Sequence, residues 1–436
     1  MFPDGQLPAL DGEFVVDEVS RAAVAGDFGR IVRHRPRAVL RPGSVADIAA
    51  VLRLAEAHGV AVVPRGQGHT THGQAQSRDG VVVDMRTLRA VLDVGADRIS
   101  VAAGARWSGV LAVTLPRGLT PPVLADYLEL SVGGTLSAGG IGGTTHRHGM
   151  QVDNVTELDV LTASGELRTC SPVRDRVLFD AVRGGFGRHG VIVRATLRLV
   201  PAPRRVRRYR LGCRGPVALN AATRRLVTER RFDYVEGQIL PDGHGGWRYL
   251  VEAAAFHDPV DPPDDAALLR ELPPDRDVEE IDELSFADFL DRMAPGVELL
   301  RATGEWEHPH PWWNGFVPDS AVDGLLAEIM RALTPEDIGP SGLVLCYPFP
   351  TGLVTAPGVR VPAEPLAFLL ALLRTAPPGD PRAVAAMLRA NRALHDRVAA
   401  LGGFTYPVGS MDVAETPGKG SDHANAADRV PFPRSL

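Results

Sequence analysis

The chain has 436 residues, 44% of them hydrophobic and 23% charged, with a formal net charge of −6. These values describe a globular protein of two domains or one large two-part fold, and the acidic balance argues against a general nucleic-acid binder. Cys170, Cys213 and Cys346 lie far apart with no CxxC pair, which excludes a disulfide scaffold or a cysteine-rich zinc site and suits a reducing compartment.

The opening stretch MFPDGQLPALDGEFVVDEV has early acidic residues and no basic segment before an apolar run, so no secretory signal is expected. No run of about 18 apolar residues predicts a membrane span. The expected location is the cytoplasm, with no membrane partner.

The segment RPGSVADIAAVLRLAEAHGVAVVPRGQGHTTHGQ reads as helix, strand and loop. Ser44 with Asp47 resembles a capping box, Ile48, Val51, Leu52 and Ala55 share a helical face, and Gly59 suits a helix C-terminus. Val60 to Val63 predicts a short strand that Pro64 stops. GVVVDM (80–85) and RISVAAGA (98–105) predict further strands, and SGVLAVTLPRGL (108–119) a short helix ending near Gly118. SVGGTLSAGGIGGTTHRHG (131–149) is too glycine-dense for regular structure throughout, a density that brings backbone close to something flat or charged. VTELDVLTASGELRTCS (155–171) predicts a hairpin turning at Ser164-Gly165. LFDAVRGGFGRHGVIVRATLRLVPAP (178–203) gives a helix end, a Gly-rich loop and a long strand.

The character changes near residue 203. The basic PRRVRRYRLGCRG reads as a solvated strand edge, in preference to a binding patch. Helices are predicted over 284–292, 320–333, 363–375 and 382–400, with strands at GLVLCYPF and RYLVEAAAF, so residues 204–402 form a second α+β unit after a first unit at 1–203 (core 33–203). DPVDPPDDAALLRELPPDRD (258–277) is an acidic, Pro-rich connection. From Met411 the chain lacks apolar periodicity and reads as coil or disorder.

The loop RGQGHTTHGQ (65–74) asks for a phosphate, a metal or a reactive histidine. After Gly66 and Gly68 the next glycine is Gly73, too far on for a dinucleotide fingerprint, and no helix follows. No Gly-Lys-Ser/Thr is present for a Walker loop, and PGKGS (417–421) has Gly420 where Ser or Thr is required. His69 and His72, like HRH (146–148) and HPH (308–310), lack a Cys or carboxylate at a metal-ligand spacing, so no metal is expected. A nest of backbone N–H groups from Gly66 to Thr70, with the Thr70 hydroxyl as an added donor, would suit a pyrophosphate.

The loop resembles the flavin-attachment loop of vanillyl-alcohol-oxidase-type FAD-binding domains, and within them that of cytokinin dehydrogenases, Gly-x-Gly-His-Ser-x-x-Gly-Gln. Gly66, Gly68, His69, Gly73 and Gln74 match in register, and Thr70 replaces the serine. ADYLELSVGGTLSAGGIGGTTHRHGMQVDNV (125–155), LFDAVRGGFGRHGVIVRA (178–195), YVEGQ (234–238), FLDRM (289–293) and HPHPWWNGFVP (308–318) follow in the family's order. The likeness spans about residues 27 to 406 and implies an α+β fold: a two-subdomain FAD-binding domain plus an α+β cap over the substrate.

By that resemblance FAD is the cofactor, bonded covalently through His69 to the 8α-methyl carbon, while His72 sits at a variable position. Gly66, Gln67, Gly68, Thr70 and Gln74 would hold the pyrophosphate and ring edge. Ser131, Ser137, Ile141 and Ile192 match FAD-contacting positions, with simple packing the alternative for the two isoleucines. Asp126 is the expected base facing the flavin, against a loop-capping role. Glu252 matches a glutamate used toward the adenine ring, against the outward face of an edge strand. Trp312, Asn314 and Tyr347 would line the cap side. No second attachment cysteine is near, so one covalent link is implied.

The implied reaction is oxidation of a secondary allylic amine such as N6-isopentenyladenine, with oxygen or a quinone as electron acceptor. The sequence departs from the family at its end. It lacks the tryptophan- and histidine-containing helix and the Ser-Pro-Gly-Gln-type segment. Tyr406 matches one family tyrosine, while Gly409 stands where a second would face the flavin. Residues 403–436 therefore read as a divergent segment that returns to the FAD domain or is disordered. Two alternatives accompany the amine reading: a same-fold oxidase of another amine or alcohol in bacterial secondary metabolism, and a non-catalytic flavin-binding remnant.

Overall fold

The computed structural model describes residues 7–272 and 277–411. The expectation of coil from Met411 onward falls outside these residues, apart from Met411 itself.

The first sheet is built from β1 (Glu13–Val15), β2 (Ala38–Arg41), β3 (Val62–Arg65) and β4 (Val81–Asp84), in the order β1-β2-β4-β3. Helix Val45–His58 covers it. Its N-terminus carries the expected reciprocal Ser44–Asp47 box, and Gly59 closes it at φ 63. Ile48, Val51, Leu52 and Ala55 are all buried, as their shared helical face requires. Pro64 does not stop β3, which runs on to Arg65. β3 is the edge strand, where a residue without an N–H breaks no ladder bond.

Next come β5 (Val91–Val94), β6 (Arg98–Ala102), the two-residue β7 (Leu119–Thr120), β8 (Val155–Leu161), β9 (Leu167–Cys170), β10 (Val191–Arg198) and β11 (Val200–Pro201). A second sheet has the order β5-β6-β10-β8-β9, and β7 pairs with β11. The β8–β9 hairpin turns where expected, with Gly165 at φ 72. The glycine-dense segment contains two short helices, Val132–Ala138 and Thr145–His148, separated by Gly139 and Gly140 at positive φ.

The third sheet has eight strands: β12 (Arg205–Cys213), β13 (Tyr234–Pro241), β14 (Trp247–His257), β15 (Asp277–Ser285), β16 (Trp313–Pro318), β17 (Leu343–Pro350), β18 (Leu366–Leu373) and β19 (Phe404–Thr405). Their order is β15-β12-β14-β13-β17-β18-β16-β19. The pleat sorts their side chains into two layers. Val235, Val251, Trp313, Cys346 and Phe368 pack with Leu219, Leu226, Val322 and Leu326 of helices Pro216–Thr228 and Asp319–Ala332. The alternate residues Tyr234, Ala254, Phe316, Tyr347 and Leu369 belong to the core shared with the first two sheets. The third sheet thus presents one face to its own helices and the other to the glycine-rich loops.

Three expectations need correction here. Residues 363–375 are not a helix, because Leu366–Leu373 forms β18 between β17 and β16. The run LAFLLALL is apolar on both faces, as a central strand's must be, and its Leu and Ala content imitates a buried helix. The predicted helix at 284–292 is shorter, Phe286–Leu290, and follows directly on β15. The basic strand β12 is not an edge, for β15 pairs along it. Its arginines are neutralised across that pairing: Arg207 bonds Glu283, Arg208 bonds Asp282 at 2.9 Å, and Arg210 meets Glu280.

Candidate active site

The loop after β3 approaches the start of helix Val132–Ala138. A Cβ on Gly66 would lie 2.0 Å from Ser131 Oγ. Gly68 adopts φ 67, and a Cβ there would strike the Arg65 guanidinium at 2.2 Å. Two expected cofactor residues, Gly66 and Ser131, are therefore brought together, with room for backbone alone. Among the described residues the N–H groups of Gln67, Gly68 and His69 donate to no protein acceptor. Such a run of free donors is a concavity for an anion. Arg65, buried beneath it with Nη1 unpartnered, adds a cation that sequence reasoning did not single out. This donor set fits a pyrophosphate.

Other loop residues hold its shape. The Thr70 hydroxyl, expected to face the pyrophosphate, donates to Asp27 Oδ2 at 2.8 Å, and Gly73 N–H donates to the same oxygen at 2.7 Å. Burial raises the Asp27 pKa above the usual carboxylate value, against those hydrogen bonds. The Gln74 side chain is also committed within the protein, accepting from His72 N–H and donating to the Gly409 carbonyl at 3.0 Å. Ser137 donates to Gly133 O within its own helix. Ile192 lies in β10 opposite Val160 inside the core, and Ile141 packs at the core margin.

His69 is set among aromatic rings. Phe28 stacks on it with centroids 4.1 Å apart, Tyr127 lies at 5.0 Å, and Trp312 meets it edge-on at 6.1 Å. Phe28 in turn stacks on His310 at 3.9 Å. Burial, with His310 nearby, lowers the His69 pKa to about 3, so the ring is neutral near pH 7. A cavity of about 560 Å³ opens beside it, lined among others by Gln67, Gly68, His69, Arg65, Tyr127 and Trp306.

Asp126, the neighbour of Tyr127, faces the third sheet. Its Oδ1 accepts from Arg292 Nη2 at 2.7 Å and from Tyr234 OH at 3.0 Å. Arg292 Nε reaches Glu252 Oε1 at 3.2 Å, and Gln238 Nε2 donates to Glu252 Oε2 at 2.7 Å. Glu252 is therefore not on the outward face of an edge strand: β14 lies between β12 and β13, and the residue is 7% exposed.

On β13, Tyr234, Glu236 and Gln238 share the same face of the pleat. Glu236 pairs with Glu252 across β14. The Gln238–Leu345 register, continued by two residues, sets Glu236 opposite Tyr347. Glu236 is 1% exposed with Oε1 unpartnered. Burial and the nearby Asp126 charge push its pKa well above the carboxylate range, which favours the protonated form. Asn314, also on this face, is buried with Nδ2 unpartnered. The motifs YVEGQ and FLDRM contain Tyr234, Glu236 and Arg292, and no local pattern assigns these residues a role. The signal for them was an acid and an arginine inside otherwise apolar segments.

The end of the described chain crosses both glycine regions. Tyr406 OH accepts from Gly140 N–H at 2.9 Å. Thr71 Oγ donates to Val408 O at 2.9 Å, and Ser410 Oγ donates to Thr71 O at 3.0 Å. Gly409 lies close against Trp312 and Asn314 backbone, with a built Cβ 3.0 Å from Trp312 O. A tyrosine there would need this backbone to move.

Residues 36–171 match the FAD binding domain model, and residues 244–402 match the model for "Cytokinin dehydrogenase 1, FAD and cytokinin binding". The chain is 42% identical over 405 residues to the "Uncharacterized oxidoreductase ORF5 in fasciation locus" of Rhodococcoides fascians, covering 93% of this chain and 92% of that protein. It is 37% identical to cytokinin dehydrogenase 10 of Oryza sativa subsp. japonica, over 83% of this chain and 74% of that one. Against cytokinin dehydrogenase 4 of Arabidopsis thaliana the identity is 35%, over 78% and 74% of the two chains. With its two-domain α+β architecture of the vanillyl-alcohol-oxidase type, the chain belongs to the cytokinin dehydrogenase family of FAD-dependent oxidoreductases.

Proposed function

We propose that the protein oxidises a secondary allylic amine of the N6-isopentenyladenine type to adenine and an aldehyde. The observation that carries this reading is the carboxylate cluster on the sheet face opposite the glycine loops, in which Asp126 and Glu252 are joined through Arg292. FAD, held by the loop at Gly66 to His69 and by Ser131, supplies the two-electron acceptor for the hydride leaving the carbon next to nitrogen.

Asp126 takes the N–H proton as that carbon is oxidised, a role in which a positioned base contributes about 10²- to 10⁴-fold in rate. Glu252 accepts a donor of the purine ring, and Glu236 in its protonated form offers a hydrogen to a ring nitrogen. Asn314 and Tyr347 complete the polar wall, and Trp312 borders the chamber on the His69 side. The imine so formed leaves and hydrolyses. His69, neutral and aromatic-packed, is the site of a single covalent link to the flavin.

Anaerobic mixing with N6-isopentenyladenine tests the reading. Bleaching of the flavin band near about 450 nm, with adenine in the product mixture, is the expected result. A full flavin complement that does not bleach would assign the chain to another amine or alcohol, and a colourless purified protein would leave it a non-catalytic remnant. Regeneration with oxygen or with a quinone then identifies the acceptor.

A further inference from the structure

We infer that Arg292 is a positioning residue that fixes which oxygen of Asp126 takes the substrate proton. This rests on the amine-oxidation reading given above. The two donors that reach Asp126, Arg292 Nη2 at 2.7 Å and Tyr234 OH at 3.0 Å, converge on one oxygen, Oδ1. Among the described residues Oδ2 accepts no hydrogen bond, and about a quarter of the side chain is exposed (27%). One carboxylate oxygen is saturated and the other stands open.

The arginine is itself held rigidly. Nε lies on Glu252 at 3.2 Å and Nη1 donates to the Phe289 carbonyl at 3.2 Å. The guanidinium lies over the rings of Tyr234, 4.8 Å to the centroid, and Phe289, 4.6 Å. A planar fork with this many fixed contacts orients a carboxylate in a way that a flexible ammonium cannot. The geometry also sets the charge balance. Asp126 and Glu252 share one cation, while Arg208, 3.8 Å from Glu252, is already bonded to Asp282. Glu236 and Tyr347, on the same sheet face, are neutral when protonated. Proton uptake at Oδ2 therefore removes the excess negative charge of the Asp126–Arg292–Glu252 group. Arg292 remains paired through Glu252 as the proton arrives, so no uncompensated buried charge appears.

The test uses the flavin-loaded enzyme and the anaerobic bleaching rate with N6-isopentenyladenine as a function of pH. Arg292→Gln is expected to slow bleaching about 10²-fold at neutral pH. It is also expected to move the acid limb of the profile to higher pH, because loss of the neighbouring cation favours the protonated carboxyl. Arg292→Lys keeps the charge and loses the fork. It should be slowed about 10-fold with its acid limb in place. The Kd of the saturated analogue N6-isopentyladenine should change less than the rate in both variants.

Arg292→Gln with an unmoved acid limb, even if its melting temperature or flavin content falls, would show a structural residue and overturn the proposal. If Arg292→Gln does not fold, Arg292→Lys decides: a rate equal to wild type makes the fork dispensable and overturns it, and a slowed rate with the limb in place supports it. Fully flavinylated wild type that fails to bleach overturns the amine reading and this proposal together. Bleaching in wild type with an unmoved Arg292→Gln profile overturns the proposal alone.

Discussion

Gly66 and Ser131, 65 positions apart, meet so closely that a Cβ on the glycine would lie 2.0 Å from the serine Oγ. Ser131 is 4% exposed, so its side chain has little room to turn away. Gly66→Ala is therefore expected to push the loop off the helix start and lower flavin content, measured from the ratio of flavin to protein absorbance. Retention of full flavin content by Gly66→Ala would show that this contact does not shape the cradle.

His69→Ala should leave any flavin non-covalent. Acid precipitation distinguishes the cases, because flavin stays with the wild-type pellet and appears in the variant's supernatant. Flavin released from wild type by the same treatment would exclude attachment at His69.

Asp27 organises the loop by accepting from both Thr70 and Gly73 at one oxygen. Asp27→Ala removes their shared acceptor and leaves two donors unsatisfied, at about 1–3 kcal/mol each when buried. Asp27→Asn keeps a carbonyl oxygen for them and is expected to be milder. The check is thermal melting together with flavin content for the two variants, and equal losses would contradict the hydrogen-bonding account.

Tyr406→Phe keeps the ring beside Phe316, 5.1 Å between centroids, while removing the acceptor for Gly140 N–H. A loss of about 1–3 kcal/mol is expected, read from denaturant unfolding. An unchanged midpoint would mean that the amide finds another acceptor.

Acid should weaken the fold through His310, whose pKa burial lowers to about 4 despite the Phe28 carbonyl on Nδ1. The folded value lies below the unfolded value of about 6.5, so the unfolded chain binds the extra proton. The favourable contribution is whole above about pH 6.5 and is lost as pH falls toward about 4, at up to about 1.4 kcal/mol per pH unit. Melting temperatures of wild type and His310→Gln at pH 7, 5.5 and 4.5 should converge toward acid pH. Parallel curves would remove His310 as a contributor.

Local chemistry made much of the first unit legible. The Ser44–Asp47 box, Gly59 and the Ser164-Gly165 turn each act within a few residues, and all three stand as read. The FAD-binding character of the glycine-loop region was legible by resemblance. The misread segments share a different cause. Leu366–Leu373 owes its strand to neighbours on both sides, and Arg205–Cys213 owes its interior position to β15, which lies some seventy residues later. Neither neighbour is visible in a local window. The same holds for Arg292, 166 positions from Asp126, and for Tyr234, 108 positions from it. Asp27 lies outside any motif, and Arg65 opens the glycine loop without belonging to the family pattern matched there. Their meaning comes from lying beneath and behind a loop whose glycines attracted attention.

The Thr71–Val408 bond joins residues 337 positions apart, and this separation sets an order of events during biosynthesis. A chain emerging from the ribosome N-terminus first exposes the loop at 65–74 long before residues 404–410 exist to brace it. The braced form of the cofactor loop must therefore wait until residues 404–410 have been made. A ribosome stalled before residue 404 would hold a chain with the loop and without its brace.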